Sequence, residues 1–180
     1  EVYAMVGARL THNTVALNAY MWLRHALKGS PCRTFALDTK LQIAASGEHL
    51  YPDVMVTCDA RDSEGGEDRF IRYPWLVVEV LSDSTAAYDR GLKFELYRGL
   101  DTLSHYLVVE QDRPHADLFF KTATGQWVLQ PVSQGEAMQI DRLGQPWPVV
   151  SLFDDVPFSP SGRAAGMPPP VPDPGPNPGR

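Results

Sequence analysis

The sequence predicts a mixed α/β domain, a central sheet with helices on its faces. Three observations lead there. Residues 74–81, Pro-Trp-Leu-Val-Val-Glu-Val-Leu, are a nearly continuous apolar run, as in a strand buried on both faces. Residues 15–27 and 88–96 instead carry apolar side chains at helical spacing. The 180 residues, 43% of them hydrophobic, suffice for one core and are too few for two comfortable ones. With 10% aromatic and 21% charged residues, the chain is neither wholly disordered nor a coiled coil.

The elements follow in order. Position 1 is Glu, and Tyr3 to Val6 already read as a strand, so the chain looks N-terminally truncated, with one edge of that strand unpaired. Thr11 can cap a helix running to about Lys28, where Gly29, Ser30 and Pro31 stop it. Residues 33–43 place Phe35, Leu37, Thr39 and Leu41 on one parity, the period of a strand. Gly47 breaks it, and residues 52–58 form a second strand. Residues 59–68 are acidic and polar, a surface loop before the buried 74–81 strand. Ser82 to Thr85 supply caps for a helix over 86–98, with Tyr88, Leu92 and Leu96 as its apolar stripe and Gly99 at its end. A buried strand at 106–110 and a hairpin from 117–122 and 126–132 complete the body. From Pro157 to Arg180, nine of 24 residues are proline and four glycine, which predicts a disordered or polyproline-type tail after a domain of residues 1–156.

Composition bounds function. No apolar run is long enough to cross a membrane, and no charged segment followed by an apolar one opens the chain. Cys32 and Cys58 cannot make a disulfide framework and lack metal-ligand spacing, so they read as separate buried thiols in a reducing, cytoplasmic setting. A net charge of -6 argues against indiscriminate gripping of nucleic acid. It leaves room for a local site where a metal ion supplies positive charge.

Glu79 does not belong in its run. A buried, unpaired carboxylate costs several kcal/mol and would rather pair, take a proton or bind a cation. Asp53 begins the preceding strand, 26 residues earlier, and an antiparallel return would set the two carboxylates side by side. Such a pair repels unless a divalent cation sits between them, and hard oxygen ligands with room for water describe Mg²⁺ or Mn²⁺. Lys93 lies about two turns into the helix that follows and could reach back over the strand end. It could equally be half of an exposed pair with Asp89 at i, i+4.

Pro52-Asp53, then Val78-Glu79-Val80 in a buried strand, within this order of elements, resembles the PD-(D/E)XK nuclease superfamily. More narrowly, residues 51–59, 76–82 and 88–93 are similar to the Uma family, short bacterial chains assigned as restriction endonucleases. The resemblance implies a restriction-endonuclease-like α/β core, αβββαβ with a mixed sheet flanked by helices, and a C-terminal β-hairpin extension. It implies Asp53 and Glu79 as metal ligands and catalytic residues, the Val80 carbonyl as a further ligand, and Lys93 as the catalytic lysine. The superfamily's usual lysine position falls on Leu81, which carries no charge. His12, at a helix N-terminus, matches a position where the family often has histidine; it could face substrate phosphate or serve as a cap-region or packing histidine. Arg90 would clamp phosphate, and Asp89 would orient Lys93.

The function so implied is a Mg²⁺- or Mn²⁺-dependent endonuclease acting on DNA, with a homodimer favoured if both strands are cut. The competing reading is a catalytically inactive module of the same fold used for binding or assembly. The acidic balance and the lack of a basic stripe favour that second reading. Convergence of Asp53, Glu79 and Lys93 in one cleft would favour the first.

Overall fold

A computed structural model describes residues 10–44, 46–64, 70–82 and 85–158. The expected strand at Tyr3–Val6 and nearly all of the Pro-rich tail lie outside these residues. Helix α1 (Leu10–Ala26) leads into β1 (Arg33–Ala36), β2 (Lys40–Gln42), β3 (His49–Leu50) and β4 (Val54–Thr57). A short α2 (Arg61–Glu64) precedes β5 (Phe70–Ile71) and the long β6 (Pro74–Leu81). Next, α3 (Ala86–Tyr88), a π-helical turn (Asp89–Lys93) and α4 (Phe94–Arg98) run on as one helix. Strands β7 (His105–Glu110), β8 (His115–Lys121) and β9 (Trp127–Ser133) follow, then a small β10 (Ala137–Met138) and β11 (Trp147–Pro148) pair.

Six strands form the central sheet in the order β1-β4-β6-β7-β8-β9. Only β6 and β7 are parallel; the helix 86–98 makes the crossover that a parallel pair requires. All eight residues of β6 are buried, as its apolar run predicts. Alternation divides the core. Val54 and Val56, Leu76, Val78 and Val80, and Leu107 and Val109 face α1, where Val15, Ala19 and Leu23 pack. Met55, Val77, Leu81, Tyr106 and Val108 face the other way, onto Tyr97, Leu100 and Leu103. Glu79 shares the parity of Val77 and Leu81, so the period of a strand alone aims it at the second helix.

Several expectations change. The strand over 33–43 is two strands in two sheets: the chain bends at Leu37, whose φ is +62°, and β2 joins β3 and β5. Even spacing of Phe35, Leu37 and Leu41 hides that bend, because alternation says nothing about backbone sign. Helix α1 already includes Leu10 and Thr11, so Thr11 is not its cap. The stripe Tyr88-Leu92-Leu96 is not the buried one; Tyr88 is 44% and Leu92 65% exposed, while Asp89 and Tyr97 are inward. The π turn accounts for this, since the residue it absorbs rotates the helix face relative to regular α spacing. The C-terminal hairpin β8–β9 does extend the main sheet, as expected, with β8 paired antiparallel to β7. Residues 141–143 and 149–153 add two 3-10 turns, the second packed on α1 and tied there by Asn18 Nδ2 donating to the carbonyls of Leu152 and Asp154.

Cys32 and Cys58 are not separate thiols: they form a disulfide. The cause is register. Arg33 pairs with Thr57 at the end of β1–β4, and one step outward sets Cys32 opposite Cys58. That pairing is invisible until the strands are known to be neighbours. The bond closes a loop of 26 residues and ties the connection after α1 to the sheet. Chain-entropy arguments give such a loop about 3–4 kcal/mol. Reduction, or Cys58→Ser, should therefore lower Tm by about 5–15 °C in a calorimetric scan, with far-UV circular dichroism unchanged before melting.

Candidate active site

The site forms where β4 begins and β6 ends. In the antiparallel β4–β6 pair Val54 lies opposite Val78, and the next step sets Asp53 opposite Glu79. Pro52 ends the preceding segment and Asp53 stands just before the strand, so its carboxylate meets a free strand-end amide: Val80 N–H donates to Asp53 Oδ2 at 2.7 Å. Asp53 Oδ1 lies 3.0 Å from His12 Nε2, which α1 delivers from the other face of the sheet.

Glu79 is 3% exposed. Its Oε1 receives two donors, the Lys93 ammonium at 2.7 Å and the Tyr97 hydroxyl at 2.6 Å. Lys93, 12% exposed at its side chain, also lies 3.3 Å from Asp89 Oδ1. Asp89, Lys93 and Tyr97 thus share the inward face of the helix around its π turn. The Tyr106 hydroxyl donates to the Asp89 carbonyl at 2.9 Å, which holds that turn against β7. The i, i+4 pair of Asp89 and Lys93 is present, but turned to Glu79 rather than to solvent.

Charge follows burial. Desolvation pushes the Glu79 carboxyl up to about 7; Lys93 opposes the rise and Asp53 adds to it. Burial works to lower the Lys93 ammonium, yet Glu79 and Asp89 hold it above its ordinary value. His12 behaves alike: burial lowers its pKa, but the Asp53 bond and the nearby Glu79 and Asp89 charges raise it overall. The Tyr97 hydroxyl is pushed well up by burial and by Glu79, and stays a donor.

The structure brings together five of the residues expected from sequence besides the Val80 backbone: His12, Asp53, Glu79, Asp89 and Lys93. Arg90 goes elsewhere. Its guanidinium pairs with Asp117 and lies 3.4 Å from Glu110, beside a cleft lined by Leu81, Ser82 and Ala86. A phosphate contact by Arg90 would first have to replace those carboxylates. Tyr97 is the residue that sequence reasoning missed; its four-residue spacing from Lys93 was the available signal.

This arrangement accompanies a recognisable ancestry. Residues 1–149 match the family Uma2, described as "Putative restriction endonuclease". The chain belongs to the Uma2 family. An uncharacterised protein of Synechocystis sp. is 35% identical over 158 residues, covering 88% of this chain and 82% of its own. A second Synechocystis protein is 30% identical over 141 residues, covering 78% and 79% respectively. Among solved structures, a crystal structure titled as a putative nuclease of DUF820 from Anabaena variabilis superposes with a TM-score of 0.64. It covers 82% of each chain at 12% identity, a likeness of fold. The chain thus carries the family description "Putative restriction endonuclease" and shares its mixed α/β fold with the Anabaena protein. Among the described residues no helix is long and apolar enough to cross a membrane.

Because Glu79 keeps its proton longer folded than unfolded, the folded state is favoured while it is protonated and loses that advantage as pH rises from about 4.5 to about 7. Tm of the metal-free Uma2 domain should fall across that window. Glu79→Gln should flatten the fall, which melting curves at half-unit pH steps would register.

Proposed function

We propose that this domain hydrolyses phosphodiester bonds in DNA with the aid of Mg²⁺ or Mn²⁺, held by the carboxylates of Asp53 and Glu79 and the Val80 carbonyl. The observation that carries the reading is the convergence of Asp53, Glu79 and Lys93 at one end of the sheet. The donor chemistry fits such an ion. Two carboxylates opposite one another on adjoining strands are hard oxygen ligands, and the donors already on them hold both groups in place. Among the described residues no set of three or more His, Cys, Asp and Glu gathers to hold a metal. A site with two carboxylates, completed by water and substrate phosphate, is the usual habit of Mg²⁺.

When bound, a divalent cation supplies Lewis-acid polarisation of the phosphate and acidifies a water. The chain's own residues do the rest. Lys93 has three N–H donors, of which Glu79 and Asp89 account for two. The third is available to a phosphate oxygen or to the attacking water, where positive charge offsets what accumulates at phosphorus. Asp89 keeps the ammonium over Glu79, so the lysine does not swing to solvent. His12, near Asp53 and held protonated more readily than usual, adds a second positive group on the opposite flank.

The binding-module reading keeps two observations in its favour, the net charge of -6 and the lack of a basic stripe in the sequence. Plasmid nicking separates the two. Wild type with Mg²⁺ or Mn²⁺ should convert supercoiled DNA to open circles, and to linear form only if two copies act together. Lys93→Ala should slow this at least about 100-fold even at saturating Mn²⁺, while circular dichroism persists. Cleavage by Lys93→Ala at the wild-type rate, or no cleavage by wild type with either ion, would overturn the nuclease assignment.

A further inference from the structure

Tyr97 has a role that packing does not require. It is completely buried in α4, with its ring 5.3 Å from that of Tyr106. A phenylalanine would fill the same space without bringing a polar group out of water. A buried hydroxyl must find an acceptor or cost about 1–3 kcal/mol. The acceptor it finds is not a backbone carbonyl but Oε1 of Glu79, at 2.6 Å. Lys93 reaches the same oxygen at 2.7 Å from one turn earlier in the helix.

Two donors on one oxygen do something that one cannot. Glu79 is a side chain with three rotatable bonds, and a single contact at Oε1 would leave the carboxylate free to pivot about it. Contacts from two directions, both from a helix already anchored on β7, fix the plane of the group. The facing carboxylate is held too: Asp53 Oδ2 is pinned by Val80 N–H, and Oδ1 lies against His12. Both acids are thereby set in place before any ligand arrives.

We propose that Tyr97 is a positioning residue for cation binding: together with Lys93 it fixes Oε1 of Glu79, and so the carboxylate that stands opposite Asp53 across the β4–β6 pair. This rests on the reading of Asp53 and Glu79 as cation ligands. The effect belongs to affinity and geometry, not to proton transfer, because the hydroxyl touches no reacting atom.

Tyr97→Phe removes one oxygen and keeps the ring. Mn²⁺ would be titrated into wild type and variant by calorimetry, with the electron paramagnetic resonance spectrum of bound Mn²⁺ recorded alongside. The expected result is a Kd raised about 10-fold or more, and a broadened Mn²⁺ spectrum, in a protein that still folds. A Kd within twofold of wild type would overturn the positioning role while leaving the cation site standing. Wild type that binds no Mn²⁺ would overturn both. A double-mutant cycle with Lys93→Met covers the case in which Tyr97→Phe also loses stability. Two groups sharing one oxygen should lose Mn²⁺ affinity non-additively, whereas general loosening would give additive losses and defeat the proposal.

Discussion

Glu79 is a carboxylate in the middle of a strand whose eight residues are all buried, and the second half of the domain is arranged to make that tolerable. An isolated charge there would cost several kcal/mol. The compensation comes from the crossover helix, which must bring a cation and a neutral donor to the same oxygen. Lys93 and Tyr97 stand four residues apart, neighbours on one helix face, and the π turn over Asp89–Lys93 sets the phase at which that face meets Glu79. Tyr106 then fastens the turn to β7. Removal of either charged partner would strand the other inside the protein, a loss of about 3–5 kcal/mol. The site's electrostatics and the helix's geometry are in this sense one problem with one solution.

The sheet was legible from the sequence because its signals are local. An apolar run such as 74–81 has few alternatives, and the position of Glu79 within it names the anomaly directly. Parity then predicts which face Glu79 takes, and the structure agrees. What escaped were features set by neighbours far along the chain or by backbone sign. Leu37 looks like any strand residue until its positive φ divides β1 from β2. Tyr88 and Leu92 keep perfect four-residue spacing, yet the π turn leaves both exposed. Asp53, Glu79 and Lys93 could be nominated by residue type and order. Tyr97 stands four residues beyond Lys93, a spacing that shares its face, but a tyrosine in an amphipathic helix reads as packing until its hydroxyl is seen to have a charged partner.

Membership of the Uma2 family and a nuclease-like fold agree with this geometry, and the acidic surface does not contradict it. Lys93 is already paired with Glu79 and Asp89, so the chain's own cation at the site is committed to internal partners. Arg90 illustrates the same restraint: its guanidinium is already neutralised by Asp117 and Glu110.

The disulfide has a consequence for how the chain survives damage. Cys32 and Cys58 enclose β1, β2, β3 and β4, and with them Asp53. Within that circle the turn at Gly47 lies at the surface. A protease that nicks it would leave two polypeptides still joined by sulfur, with β1 and β4 paired as before. The severed protein would migrate as an intact chain until reductant was added. Asp53 would keep its place opposite Glu79 throughout, so continuity of the backbone and integrity of the site are separable in this fold.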